Sequence, residues 1–137
     1  MEKDEALGLL SNLSLVNLAT IDGDQPRVRA VTLVAYDDQF WISTRTSADK
    51  MGQIRANDKV ELNLSVGSDR DFGTVRATGR VEVIDDEAVK SELAGQMPFF
   101  NMIFKSIDDP DYTLLRLDLS RIKVLYPYKN EMFAFDL

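Results

Sequence analysis

A strict alternation of apolar and polar residues in the middle of the chain limits the folds available to it. In Lys59–Val66 every second residue is valine or leucine, and in Val75–Ile84 valine, alanine and glycine alternate with charged residues and threonine. A period of two residues is typical of β-strands, because successive side chains point to opposite faces of a sheet. Each of these strands is therefore expected to place one face on a core and the other in solvent or against a partner.

Three further strands are predicted in the N-terminal half, joined by residues that favour turns. Leu13–Ile21 is an almost continuous apolar run, Arg27–Ala35 is rich in β-branched residues, and Gln39–Ser43 is a short third strand. Asp22–Pro26 contains Asp-Gly and a proline, and Tyr36–Asp38 ends in two aspartates, which is the composition of tight turns. The three strands are expected to form an antiparallel meander.

The C-terminal third is expected to contribute a long strand, Tyr112–Tyr126, or a pair of strands. The apolar alternation in this segment slips by one residue between Leu119 and Ile122. Such a slip predicts a β-bulge or a corner near Ser120, because one extra residue reverses the direction of the side chains that follow. The tail from Glu131 onwards is apolar enough to pack against the rest of the molecule.

Helices are expected at only a few places. Residues 4–10 form a short amphipathic pattern, and Thr46–Asp49 has the hydroxyl-x-x-acid pattern of a capped helix start. Asp85–Leu93 begins with three acidic residues, and Pro98 opens a second, apolar helical piece. Six or seven strands with these helices predict a mainly β (α+β) fold. We expect one domain over residues 1–137, a small antiparallel barrel, closed or split, with a few peripheral helices.

The composition argues against several kinds of chemistry and partner. The chain has no histidine and no cysteine, which removes the usual general base near neutral pH, the commonest metal ligand and any thiol nucleophile. The net charge of −7 disfavours nucleic acids and anionic membranes as partners. The sequence has no signal-peptide pattern and no apolar run near the roughly 20 residues of a membrane helix. A cytoplasmic location is therefore expected.

Basic and hydroxyl residues are concentrated between Gln25 and Asn57. Residues 27–55 contain five basic residues against three acidic ones. Hydroxyls and free amides at a helix start, a lysine just inside the helix and an arginine on a neighbouring strand are donors that suit a phosphate. A second interpretation remains open, in which the threonine only caps the helix and the two cations are solvated. The residues concerned are Arg29, Thr44, Thr46, Ser47 and Lys50.

Four short motifs follow one another in order through this region. They are a Pro-x-x-Arg-small-Val strand, a strand that ends in threonine, a lysine that opens a helix, and an asparagine that leads into a valine-containing strand. Here these motifs are Pro26–Val31, Trp41–Thr44, Lys50 and Asn57–Val60, without a gap in the spacing. Together they resemble the pyridoxamine 5′-phosphate oxidase-like family of FMN-binding split barrels, and the similarity runs from about residue 13 to residue 83.

The resemblance implies FMN as the cofactor, bound at the interface of a homodimer. It also implies an oxidoreductase that acts on an unidentified small molecule or electron donor, with the redox step performed by the flavin. The cofactor contacts that it implies are Arg29 and Lys50 on the phosphate, Ala30, Val31 and Thr32 along the isoalloxazine ring, Ser43 and Thr44 on the flavin and phosphate side, Thr74 from the partner subunit, and Tyr126 as an aromatic neighbour of the flavin.

Departures from the family pattern separate the chain from the true oxidases. Asp49 occupies a position where those enzymes often have a second phosphate-binding arginine, and Val34 replaces a basic residue that they use for the substrate. The C-terminal substrate motif with arginine and histidine is absent. The chain thus resembles the short, general flavoproteins of the family. The alternatives are a non-catalytic module that binds or senses flavin or another cofactor, and a flavin-free interaction domain.

Overall fold

The computed structural model describes residues 1–137 and consists of seven β-strands and four α-helices. None of the helices has the length and apolar character needed to span a membrane. Short 3-10 turns occur at Asp69–Asp71 and Pro127–Lys129. The main elements are α1 (Lys3–Gly8), β1 (Ser14–Asp22), β2 (Gln25–Tyr36), β3 (Gln39–Arg45), α2 (Asp49–Ala56), β4 (Lys59–Val66), β5 (Gly73–Ile84), α3 (Glu87–Gly95), α4 (Phe100–Ile103), β6 (Tyr112–Tyr126) and β7 (Glu131–Asp136).

All seven strands belong to one antiparallel sheet that closes on itself. The strand order is β3–β2–β1–β4–β5–β6–β7, and β3 additionally pairs with β6. This last pairing joins Phe40–Arg45 to Tyr112–Leu117 and completes the barrel. The mainly β fold with an antiparallel split barrel, expected from the alternating segments, is therefore confirmed. The apolar tail also packs as expected, because it forms β7 beside β6.

The barrel is split between β2 and β3. These two strands pair only through Val34–Tyr36 and Gln39–Trp41, whereas β2 pairs with β1 from Gln25 to Leu33. In an antiparallel sheet, alternate residues direct their backbone N–H and C=O groups to opposite neighbours. Along residues 25–33, every second residue of β2 therefore directs these groups into the gap, where they meet no strand.

The register of β5 against β6 shifts at the predicted bulge. Thr78 pairs with Arg121 and Gly79 pairs with Leu119, so that Ser120 has no partner in β5. The Ser120 hydroxyl donates a hydrogen bond of 3.2 Å to the Thr78 carbonyl. The extra residue keeps the apolar side chains on both sides of it directed inward, as the slip in the sequence predicts.

Two apolar clusters surround the split. Leu33 and Val34 are neighbours on β2, but Leu33 belongs to the cluster inside the barrel and Val34 to a second cluster outside it. On β3, Ile42 and Trp41 are divided in the same way. The outer cluster includes Phe100 of α4. The paired ends of β2 and β3 are therefore covered on both faces, whereas residues 25–30 of β2, beside the gap, are mostly exposed.

Helix α2 begins later than the hydroxyl-x-x-acid pattern predicts. Its N-cap is Ala48, and no side chain caps it. The prediction that Thr46 caps the helix is wrong. The Thr46 hydroxyl lies 3.0 Å from the Pro110 carbonyl oxygen and 2.7 Å from the Thr113 hydroxyl. Because β3 continues to Arg45 beside β6, the segment that precedes α2 bonds to the β6 side of the barrel instead of to its own helix.

Candidate functional site

A cleft of about 860 Å³, here called the polar cleft, opens between α2 and the β1–β2 hairpin. The two predicted phosphate ligands line it from opposite sides, Arg29 from β2 and Lys50 from the first turn of α2. The β1–β2 hairpin places Arg29 at the cleft and α2 places Lys50 there, so this site depends on the tertiary fold and not on nearness in sequence. The other charged or polar side chains in the lining are Asp22, Arg27, Asp49 and Gln53.

A second cavity of about 280 Å³, the split cavity, lies along the gap between β2 and β3. Lys50 lines this cavity as well as the polar cleft, so the two spaces meet at its side chain. Every predicted cofactor residue except Thr74 and Tyr126 lines one of the two. The split cavity is lined by Ala30, Val31 and Thr32 from β2, Ser43, Thr44 and Arg45 from β3, Leu15 from β1, and Met97, Phe99, Ile103 and Phe104 in and around α4.

Arg29 is held by two residues that the sequence reasoning missed. Its Nη1 donates to the Thr20 hydroxyl at 2.7 Å, and its Nη2 donates to the Gln53 amide oxygen at 2.8 Å. The Thr20 hydroxyl in turn donates to the same Gln53 oxygen at 2.6 Å. Two signals were present in the sequence: a hydroxyl inside the apolar run of β1, and an amide three residues after Lys50 on the same face of α2.

Neither of the two cations forms a salt bridge. Neither Arg29 nor Lys50 belongs to any of the six ion pairs of the molecule. Burial lowers the pKa of Lys50, and the neighbouring Arg29 charge lowers it further. Burial also lowers the pKa of Arg29. Burial thus makes the charged forms of both side chains less favourable in the free protein. An anion bound between them stabilises these charged forms, because an opposite charge favours the charged form.

Asp49 is the first residue of α2 and lines the polar cleft beside the two cations. Its side chain is exposed. The carboxylate raises the pKa of Arg29 and partly offsets the effect of burial. An acid at this position is favourable at a helix N-terminus, but it also lowers the positive potential that an anion would meet in the cleft.

The backbone amides of residues 46–48, before α2, all bond within the protein, contrary to expectation. The Thr46 amide donates to the Asp111 carbonyl at 2.8 Å, and the Ser47 amide donates to the Asp111 carboxylate at 3.0 Å. The Ala48 amide donates to the Arg45 carbonyl at 3.0 Å. The bonds from the Ser47 amide and side chain, with the salt bridge between Arg45 and Asp111, lower the pKa of Asp111. The cations, and not this segment, are therefore the principal anion donors of the site.

Ser43 lines the split cavity from the β3 side. Its hydroxyl oxygen is buried and makes no hydrogen bond in the protein. The nearby Tyr112 hydroxyl donates instead to the Lys90 carbonyl at 3.3 Å. Burial raises the pKa of Tyr112, and the proximity of Ser43 opposes this only in part. A buried polar atom without a partner is uncommon, and the burial of this oxygen keeps it from direct contact with the cavity.

Thr74 and Tyr126 lie apart from both cavities. Thr74 pairs with Ser65 on β4 and with Leu125 on β6. The Tyr126 ring packs so closely over Gly73 that a Cβ there would lie 2.7 Å from two ring carbons. Within one chain neither residue lines the candidate site. Their contact with a flavin stays a prediction that requires a second subunit.

Comparison with known proteins agrees with this fold. Residues 2–126 match the family model of pyridoxamine 5′-phosphate oxidase, which covers most of the chain. The chain belongs to this family. Proteins of this kind commonly bind a flavin or haem. No curated protein matches the chain significantly.

Solved structures with this fold cover nearly all of the chain. A NimC/NimA family protein from Clostridium acetobutylicum has 27% identity and a TM-score of 0.81, covering 98% of this chain and 91% of its own. A protein related to general stress protein 26, from the same organism, has 23% identity and a TM-score of 0.80, with coverages of 100% and 97%. A haem-binding protein from Mycobacterium smegmatis has 14% identity and a TM-score of 0.80, covering 96% of this chain and 56% of its own. At the identities of the last two, the likeness shows the fold alone.

Proposed function

We propose that the protein is an FMN-binding flavoprotein. The observation that carries the proposal is the pair Arg29 and Lys50, which are partly buried, form no salt bridge, and line a cleft that meets the split cavity at Lys50. A phosphate joined through a short polyol chain to a flat ring matches this sequence of environments, since arginine and lysine are the usual phosphate ligands. The true oxidase activity is not proposed, because Val34 stands where those enzymes use a basic residue for the substrate.

The split cavity supports a place for the isoalloxazine ring along β2. Ala30, Val31 and Thr32 border it on the edge of β2 that carries free backbone groups, and these can bond to the polar rim of the ring. Ser43 and Thr44 line the cavity on the opposite side, from β3. The flavin, when bound, would supply the electron transfer. The residues of the chain would hold and orient it and exclude water, a role that needs neither histidine nor cysteine.

The exposed apolar surface beside the split supports a homodimer. Leu15 lines the split cavity and is 70% exposed, and Val28 on the next strand is 68% exposed. Ala30 on the same face of β2 is also exposed. Apolar side chains grouped in this way are typical of contact surfaces. A second copy packed here would cover the open side of the flavin, and Thr74 of the partner subunit is the proposed polar contact from that side.

Titration of purified protein with FMN tests the proposal. We expect saturable quenching of flavin fluorescence and, by light scattering, the molar mass of a dimer. Protein that leaves FMN fluorescence unchanged, even at high concentration, would contradict the proposed function. Protein that binds FMN as a monomer would contradict the proposed homodimer but not the proposed FMN binding.

Reduction under anaerobic conditions separates an oxidoreductase from a module that only binds or senses flavin. FMN-loaded protein is mixed with NADH or NADPH, and the flavin absorbance is followed against free FMN at the same concentration. Bleaching faster than in the free-flavin control supports a small-molecule oxidoreductase. If neither NADH nor NADPH bleaches the bound flavin faster than free FMN, the non-catalytic module is favoured.

FMN affinity is expected to fall at alkaline pH. Burial and Arg29 lower the pKa of Lys50 in the free protein, whereas a bound phosphate stabilises the ammonium and raises that pKa. Affinity is therefore complete below the pKa of Lys50 in the free protein and is lost as the pH rises above it. Fluorescence titrations between about pH 7 and about pH 10 measure the change. The Lys50→Arg variant should lose this dependence, since arginine stays protonated; an equal decline in both proteins would assign the effect to another group.

A further inference from the structure

Arg29 belongs to a triangle of side-chain hydrogen bonds that connects β1, β2 and α2. The three members, Arg29, Thr20 and Gln53, each bond to the other two over distances of 2.6 to 2.8 Å. The Thr20 hydroxyl accepts from Arg29 and donates to Gln53, so the direction of its proton is determined. The Gln53 amide oxygen accepts hydrogen bonds from the Thr20 hydroxyl and from Arg29 Nη2. No other arrangement of these groups satisfies all three bonds, which fixes the plane of the guanidinium group.

A count of the Arg29 donors shows which ones remain free. A guanidinium group has five N–H donors. Nη1 uses one on Thr20 and one on the Leu18 carbonyl at 3.3 Å, and Nη2 uses one on Gln53. The Nε–H and the second Nη2–H have no partner in the protein. These two lie side by side along one edge of the guanidinium, which is the arrangement that binds two oxygens of a phosphate.

The anchoring acceptors come from different parts of the fold. Thr20 is 1% exposed on β1, so its hydroxyl has no water to replace Arg29 as a partner. Gln53 lies on α2, three residues after Lys50 and on the same side of the helix. The triangle therefore links the strand that carries Arg29 to the helix that carries Lys50, and it sets the two cations in one orientation across the polar cleft.

We infer that Thr20 and Gln53 are positioning residues that give the site its preference for a phosphorylated flavin over an unphosphorylated one. They hold the Nη1–Nη2 edge of Arg29, and thereby aim the Nε–Nη2 edge at the phosphate. Neither residue needs to touch the ligand. This inference rests on the proposed FMN site and adds the cause of its selectivity: without the anchors, the guanidinium can rotate, and its bidentate contact is no longer prepared before binding.

The test compares FMN with riboflavin, which has the same ring and no phosphate. Thr20→Val keeps the shape of the buried side chain and removes the hydroxyl. We expect FMN affinity to fall about tenfold, the size of one hydrogen bond to a charged group, with riboflavin affinity unchanged. Thr20→Ser restores the hydroxyl and should restore FMN affinity. Thr78→Val, an exposed position on β5, is the matched control and should change neither ligand.

Gln53→Met provides a second variant if the buried substitution prevents folding, because Gln53 is only half-buried. It should also reduce FMN affinity and spare riboflavin. The inference is overturned if a folded variant keeps the wild-type ratio of FMN to riboflavin affinity, or if both ligands weaken equally, which indicates a general structural defect. Wild-type protein that binds neither ligand would instead refute the proposed function, and this inference with it.

Discussion

Replacement of Lys50 by methionine is expected to weaken FMN binding roughly 10- to 100-fold and to leave riboflavin binding unchanged. Lys50 lines both the polar cleft and the split cavity. A hydrogen bond to a charged group contributes about 1.5–3 kcal/mol, and about 1.4 kcal/mol corresponds to a factor of ten. Methionine keeps the length of the side chain and its contacts with apolar neighbours. Isothermal titration with the two ligands measures the difference, and adding Arg29→Met should increase the loss.

Two neighbouring substitutions serve as controls for this result. Arg55→Met removes a cation from the last turn of the same helix, outside both cavities, and should not change FMN affinity. Asp49→Asn removes the acid from the cleft and should act in the opposite direction, tightening FMN binding by about two- to fivefold. If folded Lys50→Met protein binds FMN as the wild type does, the phosphate lies elsewhere. If riboflavin weakens as much as FMN, the lysine supports the structure and not the phosphate.

Gly79→Ala is expected to destabilise the fold by about 3 kcal/mol, a large effect for one methyl group. Gly79 lies at the bulge where the register of β5 against β6 shifts. A Cβ at this position would collide with the Asp118 carbonyl oxygen and lie 2.8 Å from the Leu119 Cα. Both neighbours are backbone atoms of a paired strand, so neither can rotate away. Unfolding in urea, followed by circular dichroism, gives the free energy of unfolding.

Gly95→Ala is the matched control, because a Cβ there meets no atom within 4 Å. Gly95 ends helix α3, and alanine has the higher helix propensity, so this change should be neutral or slightly stabilising. A Gly79→Ala protein as stable as the wild type would mean that β6 can move away from β5 at Ser120 at little cost.

The strands could be predicted from the sequence because their pattern is local. The alternation in β4 and β5 and the slip at Ser120 depend only on which residues must face the core, and the structure contains both strands and the bulge. The helix start at Thr46 could not be predicted in this way. The Thr46 hydroxyl could bond either to a backbone amide of its own helix or to a distant carbonyl. The pairing of β3 with β6 brings the Pro110 carbonyl within hydrogen-bond distance.

In the candidate site, too, some residues could be predicted from the sequence and others only from the tertiary structure. Arg29 and Lys50 were found because charge concentrates in one segment and because that segment resembles a known family. Thr20 and Gln53 were missed because a hydroxyl in an apolar strand and an amide near Lys50 on a helix do not show by themselves which group they bond to. Only the folding of β1, β2 and α2 around one point turns them into acceptors for the same guanidinium.

The sequence by itself determined the mainly β architecture, the bulge, the absence of histidine and cysteine chemistry, and the segment that holds the cations. Side-chain periodicity and residue type are enough for these, because they follow from local geometry and from the chemistry of single residues. The tertiary structure decided which polar groups are free. It assigns the amides of Thr46 and Ser47 to Asp111 and leaves one edge of Arg29 open. Hydrogen-bond partners distant in sequence compete for each donor, and only the folded chain shows which of them is within reach.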